Sequence, residues 1–186
     1  PLSLISLGGG LGIRYKAESP PTIDQYCSLI KTHFGHGMEK TKIILEPGRL
    51  LVGNAGVLLT TVLYKKTRDN KNFIIIDAGM NDLIRPALYG SYHEIIPIKR
   101  VAGRCLKADI VGPVCESADF MAVQRKISAR IKEGSVLAIL SAGAYGFSMT
   151  SNYNSRPRPI EVLIDFDRFE IIRRRETFDD LISHEH

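Results

Sequence analysis

Cysteine is scarce in this sequence. Cys27, Cys105 and Cys115 are the only three. An odd, scattered set excludes a disulfide framework, and the lack of any CxxC or other ligand spacing argues against a zinc site. The expected environment is a reducing one, the cytoplasm. Long apolar runs are also lacking: none approaches the roughly 18 residues that a membrane span needs. The first ten residues, "PLSLISLGGG", show neither a positive n-region nor a cleavage site, so they make a poor signal peptide. They read as a strand entered partway, as though the chain were part of something longer. Clustered basic charge is limited to Arg173, Arg174 and Arg175, with no aromatic residues interleaved. A formal net charge of +5 spread over 186 residues argues against a nucleic-acid partner. Ion pairs with Glu176, Asp179 and Asp180 account for that cluster more simply. There is no internal repeat, no low-complexity tract and no GxGxxG fingerprint.

What is present is an ordinary globular composition, 44% hydrophobic and 24% charged. "LSLISLGGG" predicts a buried strand running into a glycine turn. "PPTIDQYCSLIKTHFGHG" predicts a helix, with Thr22 and Gln25 forming a capping box. Its apolar residues Ile23, Tyr26, Cys27, Ile30 and Phe34 recur at helical spacing, and Gly35 and Gly37 follow. "TKIILEPG" predicts a second strand. Strand, glycine loop, helix, strand is a parallel β/α pattern. Near residue 52 the character changes. "GVLLTTVLYKKTRDNKNFIIIDAG", "EIIPIKR", "KADIVGPV", "SVLAILSAG" and "IEVLIDFDRFEIIRR" are short β-rich runs, several at hairpin spacing, with "DFDR" as a turn. Many short strands with few helices predict a mostly antiparallel barrel or sandwich. "ETFDDLI" closes the chain as a helical turn capped by Thr177. The division is thus residues 1–52, α/β, and residues 53–186, β. Two β/α strands cannot bury both faces of a parallel sheet, so the first part needs more chain to complete it.

Five stretches could carry chemistry. Gly8-Gly9-Gly10-Leu11-Gly12, between strand and helix, offers backbone N–H groups that an anion can approach closely; a tight turn without a ligand is the plain alternative. "LEPGR" puts Glu46 and Arg49 at a strand's C-terminal end, where αβ barrels place their chemistry; an ion pair at a turn is the alternative. "DAGMNDLIRPALYG" carries Arg85 and Tyr89, a guanidinium able to grip a carboxylate bidentately and a hydroxyl to assist; unaided, it reads as a surface loop. "SAGAYGFSMTSNYNSRPRP" is a long Gly-, Ser- and Asn-rich loop in which Tyr145 stands between small residues. A fifth stretch, "GPVCESAD", sets the Cys115 thiol beside the Glu116 carboxylate, a mixture that a simple turn does not need.

Taken in order, "LGGGLGIRY", "EPGRLLVGNAGVLLT", "DAGMNDLIRPALY", "VGPVCESAD", "GAYGFSMTSNYNSRPRP" and "RRRETFDDLI" resemble successive blocks of the diaminopimelate decarboxylases. These are pyridoxal-phosphate enzymes with the alanine-racemase-like barrel. The resemblance runs from about Leu4 to Ile182. It implies the last two units of a pyridoxal 5′-phosphate-binding (β/α)8 barrel over residues 1–52, followed by a β domain over residues 53–186. It implies that Gly8, Gly9 and Gly10 lie at the cofactor phosphate, with Gly10 the direct N–H donor. Glu46, in Glu46-Pro47-Gly48-Arg49, would face the pyridine nitrogen, and a carboxylate there keeps the ring protonated. Arg49 would lie near phosphate and substrate, and Tyr145 would touch the cofactor. Arg85 and Tyr89 would hold the distal carboxylate of meso-diaminopimelate, and Glu116 its distal ammonium. Cys115 would return a proton after carbon dioxide leaves, giving L-lysine. Thiols ionise not far from neutral pH, which suits that task. The resemblance also implies a homodimer, with the Cys115–Glu116 loop reaching into the neighbouring subunit's site.

The set Arg85, Tyr89 and Glu116 argues for this substrate. Ornithine and arginine carry only cationic distal groups, which Arg85 would repel. The pattern is incomplete, however. No "AxKAN" block supplies the cofactor lysine, and the family's stacking histidine is missing. Lys16, Lys31, Lys40 and Lys42 stand in other contexts, and Ser6 replaces an acidic or amide residue. The chain is therefore expected to be a C-terminal portion that neither bonds the cofactor nor decarboxylates by itself. Two alternatives stay open: a truncated homologue that modulates a complete subunit, and a related decarboxylase of the polyamine pathway.

Overall fold

The computed structural model describes residues 2–35, 40–99 and 102–185. Gly37, expected just beyond the first helix, lies outside them.

Strand β1 (Leu4–Ser6) pairs in parallel with β2 (Lys42–Ile44). Helix α1 (Ile23–Phe34) connects them. Its start is fixed by the expected box: Thr22 Oγ1 accepts from the Gln25 amide, and the Gln25 side chain accepts from the Thr22 amide. The first strand is not buried as expected. Leu4 is 48% exposed, and none of the α1 residues is buried. A two-stranded sheet with one helix has too little of its own chain to cover both faces. Ile23, Leu29, Leu51 and Val52 stay in the open for the same reason.

A short helix, α2 (Arg49–Val52), leads into β3 (Leu58–Arg68). β3 turns back into β4 (Lys71–Ile76) through Asp69 and Asn70, both at positive φ, the tight hairpin turn that short polar side chains tolerate. Then follow α3 (Arg85–Tyr89), β5 (Ile95–Pro97), β6 (Cys105–Val111), β7 (Phe120–Ser128), β8 (Val136–Ile139), β9 (Glu161–Asp165), β10 (Arg168–Arg173) and α4 (Phe178–Ile182). β5 to β8 join β3 and β4 in a six-stranded sheet of order β5-β8-β3-β4-β6-β7. It is mixed rather than wholly antiparallel, because β4 and β6 run parallel. α3 and β5 lie between β4 and β6 in the chain, and this long return makes the parallel pairing feasible.

β3 is long enough to serve two neighbours. Leu58–Thr61 pair with β8, a register shift follows, and the remainder pairs with β4. Bending at such a shift curls the sheet. Arg125 of β7 accordingly comes within 3.5 Å of Glu94, next to β5, so the two edges approach each other. Inside the curl lie Val62, Ile74, Ile76, Ile110, Met121, Leu137 and Ile139. β9 and β10 form the expected hairpin, but as a two-stranded sheet of their own rather than part of the larger one. β7, "FMAVQRKIS", is a strand that the local sequence pattern does not mark.

Candidate functional site

The ends of β1 and β2 are stitched together. The Leu7 amide donates to the Ile44 carbonyl (3.0 Å), and the Glu46 amide donates to the Gly8 carbonyl (2.8 Å). The Glu46 carboxylate is thereby set beside the glycine loop. Ser6 fixes it: Oγ donates to Glu46 Oε1 (2.5 Å) and accepts from the Gly8 amide (3.1 Å). Gly8 and Gly10 take φ of +69° and +89°, a region open to glycine, and a Cβ at either would meet nothing within 4 Å. Among the described residues no acceptor takes up the amides of Gly9 and Gly10. The loop therefore presents free donors on an open side, as an anion cradle requires.

Pro47 and Gly48 turn the chain into α2, whose first residue is Arg49. The α2 exit is bound to the "SAGAYG" loop by backbone: Ala142 donates to the Gly56 carbonyl (2.8 Å), and Gly143 donates to the Gly53 carbonyl (3.1 Å). Gly56 and Gly143 pass so closely that a Cβ on either would overlap the other's main chain. This contact carries Tyr145 to Arg49, whose guanidinium lies 5.5 Å from the Tyr145 ring centre. Arg85 also stands at that ring, at 5.6 Å.

Arg85 is a correction to the reading of its segment as surface loop. It opens α3, and it is buried, 5% exposed. Its guanidinium lies 5.9 Å from the Tyr89 ring and 5.7 Å from that of Tyr15, and Nη2 donates to Ser91 Oγ (3.2 Å). Aromatic faces tolerate a buried cation where other groups would not. Glu46 at the glycine loop, and Arg49, Tyr145, Arg85 and Tyr89 in unbroken contact, thus come from distant stretches of sequence.

Cys115 and Glu116 form a second group. Both are exposed, on a loop between β6 and β7. Asp119 holds that loop by accepting from the amides of Val114 and Met80, each at 2.6 Å. Burial pushes the Asp119 carboxyl above the usual range, although those two amides and the charge of Arg156 oppose it. Glu116 is held low, first by the Ala118 amide and then by Ser117. Tyr153 Oη donates to Glu116 Oε2 at 3.4 Å. Arg156 pins the Tyr153 segment by donating to Asn81 Oδ1 (2.9 Å) and the Asp77 carbonyl (2.6 Å). Among the described residues no hydrogen bond, ion pair or ring contact joins this group to Arg85 or Tyr145.

Ser91 and His93 carry no signal in the sequence, and Tyr15, Tyr153 and Arg156 lie in the quoted blocks without a role read for them; the tertiary contacts reveal all five. The arginine run behaves nearly as expected: Arg174 grips Asp180 with two bonds (2.7 and 2.6 Å), while Arg173 turns to Glu161 (2.8 Å).

Free amides at a glycine turn suit a phosphate. A strand-end carboxylate suits a protonated ring nitrogen. The residues present therefore fit pyridoxal 5′-phosphate. Residues 15–143 match the family model of the pyridoxal-dependent decarboxylase C-terminal sheet domain. The chain is 48% identical over 183 residues to a diaminopimelate decarboxylase of Aquifex aeolicus, covering 98% of this chain and 43% of that protein. It is 50% identical over 182 residues to one of Haemophilus influenzae, covering 97% and 43%. It superposes on the Helicobacter pylori diaminopimelate decarboxylase crystallised with L-lysine at a TM-score of 0.90, with 40% identity, over 98% of this chain and 44% of that one. The chain thus spans less than half the length of the relatives it matches.

Proposed function

This chain belongs to the pyridoxal-dependent decarboxylases, carrying their C-terminal sheet domain, and we propose that it is the C-terminal part of an enzyme converting meso-diaminopimelate to L-lysine. The observation that carries the reading is the burial of Arg85 among tyrosines beside Tyr145 and Arg49. A buried guanidinium suits a substrate with a distal carboxylate and repels one whose far end is only cationic. Residues 1–52 would complete a cofactor barrel, and residues 53–186 would form the second domain.

The cofactor, when bound, takes up the electron pair that departing carbon dioxide leaves behind. This chain's residues do the rest. The Gly8–Gly10 loop and Tyr145 bind the phosphate, with Gly10 donating its amide. Glu46, oriented by Ser6, keeps a proton on the ring nitrogen. Arg49 neutralises charge between phosphate and substrate. Arg85 and Tyr89 hold the distal carboxylate, and Glu116 holds the distal ammonium. The Cys115 thiol gives its proton to the substrate α-carbon, where the bond to carbon dioxide has broken, and regains one from water. Among the described residues no contact joins Cys115 or Glu116 to Arg85, and on this reading the two would serve the site of a second subunit in a homodimer.

The test is product analysis on a complete enzyme carrying this sequence. Carbon dioxide and L-lysine are expected in equal amounts from meso-diaminopimelate, with no turnover of ornithine. Turnover of ornithine instead would assign the chain to the polyamine branch of the family. The 186 residues alone are expected to show neither turnover nor a borohydride-trapped cofactor adduct on a lysine.

A further inference from the structure

Three buried polar atoms that find no partner among the described residues gather around one ring. They are Arg85 Nε, His93 Nε2 and the Tyr15 hydroxyl. The Tyr15 ring connects them. The Arg85 guanidinium lies 5.7 Å from its centre, and the His93 ring meets it edge-on at 5.5 Å and 78°. His93 is fully buried and Arg85 nearly so. A buried donor or acceptor left without a partner is costly, and one on a charged group more so. Three such atoms in one place call for a shared solution.

Their hydrogen-bonding characters are complementary. His93 Nδ1 lies 2.9 Å from the Leu140 carbonyl. A carbonyl has no proton to offer, so Nδ1 carries the hydrogen, and Nε2 of the neutral ring is an acceptor. Burial, aided by the nearby charges of Arg85 and Arg125, pushes the His93 pKa down against the Leu140 bond, which keeps the ring neutral. Arg85 Nε–H can only donate, and the Tyr15 hydroxyl can do either. Arg125 and Glu94 also lie nearby, but both are engaged: Arg125 stacks on Tyr92 at 4.0 Å, and Glu94 accepts from Tyr92.

We propose that His93 is a positioning residue: its Nε2, together with the Tyr15 hydroxyl, accepts the Arg85 Nε–H through one bridging water and so aims the guanidinium's outer edge at the substrate's distal carboxylate. Ser91 holds one Nη atom, His93 and Tyr15 hold Nε, and the rest of the fork is left for the ligand. A guanidinium is planar, so fixing Nε fixes the direction of both Nη atoms. His93 touches neither substrate nor cofactor and acts only through Arg85.

The inference rests on the distal-carboxylate role given to Arg85 above, and two measurements on the complete enzyme separate the two. In the first, His93→Leu is expected to raise KM for meso-diaminopimelate about tenfold, with kcat changed by less than about twofold. Tyr15→Phe should raise KM by a smaller factor. His93→Gln, whose amide oxygen can stand near the Nε2 position, should recover most of the loss. Equal losses in kcat, KM and cofactor affinity, unrelieved in the glutamine variant, would show a merely structural histidine and overturn the proposal. In the second, nitrogen NMR of His93 should find Nε2 unprotonated, with a shift that moves in both Arg85→Gln and Tyr15→Phe. An Nε2 that carries the proton, or ignores both changes, sinks the inference whatever the substrate proves to be. Failure of the wild-type enzyme to release lysine, with the NMR result intact, would instead strike the functional reading alone.

Discussion

Cys115 and Glu116 are adjacent, yet they are held differently. The Glu116 carboxylate is tied by the Ala118 amide, Ser117 and Tyr153, while among the described residues the Cys115 side chain makes no hydrogen bond. For the roles proposed above, a group that would deliver a proton gains from such freedom, and a group that would read a charge gains from being fixed. In the complete enzyme, Cys115→Ala should lower kcat about a hundredfold to ten-thousandfold, the range of a lost general acid, and leave cofactor affinity unchanged. An unchanged kcat would remove Cys115 from the reaction. Asp119 gives a pH test. Its carboxyl is raised by burial, so the folded chain holds that proton more tightly than the unfolded chain does. Its contribution to stability is therefore fullest below the ordinary aspartate value near 3.8 and falls as pH rises through the folded value. Asp119→Asn cannot titrate. The wild type's stability margin over that variant should narrow as pH is raised through this window, measured by denaturant melts. A margin that widens would contradict the burial argument.

Elements matter here through where they touch. The approach of Gly56 to Gly143 joins the α2 exit to the loop after β8, and it is the reason Arg49 and Tyr145 meet. Backbone faces backbone there, so a side chain on either residue has nowhere to go. Gly143→Ala should cost about 1–3 kcal/mol, as overpacking does, and weaken cofactor and substrate binding together. Thermal melts and binding titrations check this; a variant with normal stability and affinity would show that the two loops can separate freely. α1 and α4 are legible in the sequence, because each begins with a threonine whose reciprocal box is local. α3 is not. Arg85-Pro86 reads as a loop start, and only the sheet behind it makes the segment helical and buried.

At the scale of the whole molecule, the proposed division of each site between two subunits can be tested. If each site takes Arg85 from one subunit and Cys115 from the other, two inactive variants should rescue one another. Mixing Cys115→Ala with Arg85→Gln and re-forming dimers should restore about a quarter of wild-type activity, since about half the dimers are mixed and each then holds one intact site of two. No recovery after demonstrated subunit exchange would place both groups in one subunit's site. The apolar residues of the first part, Ile23, Leu29, Leu51 and Val52 among them, are left exposed.

The sequence by itself determined the local structure: the capped helices, the Phe166–Asp167 turn, most of the strands, and the six blocks that point to the family. These depend on residues a few positions apart, or on motifs read whole. The tertiary structure decided the rest. It alone shows a mixed sheet, because parallel pairing of β4 with β6 depends on the return between them. It alone buries Arg85, fixes Glu46 through Ser6, and brings Tyr15 and His93 behind the guanidinium. Burial and hydrogen-bond partnership are properties of residues tens of positions apart, so no local pattern carries them.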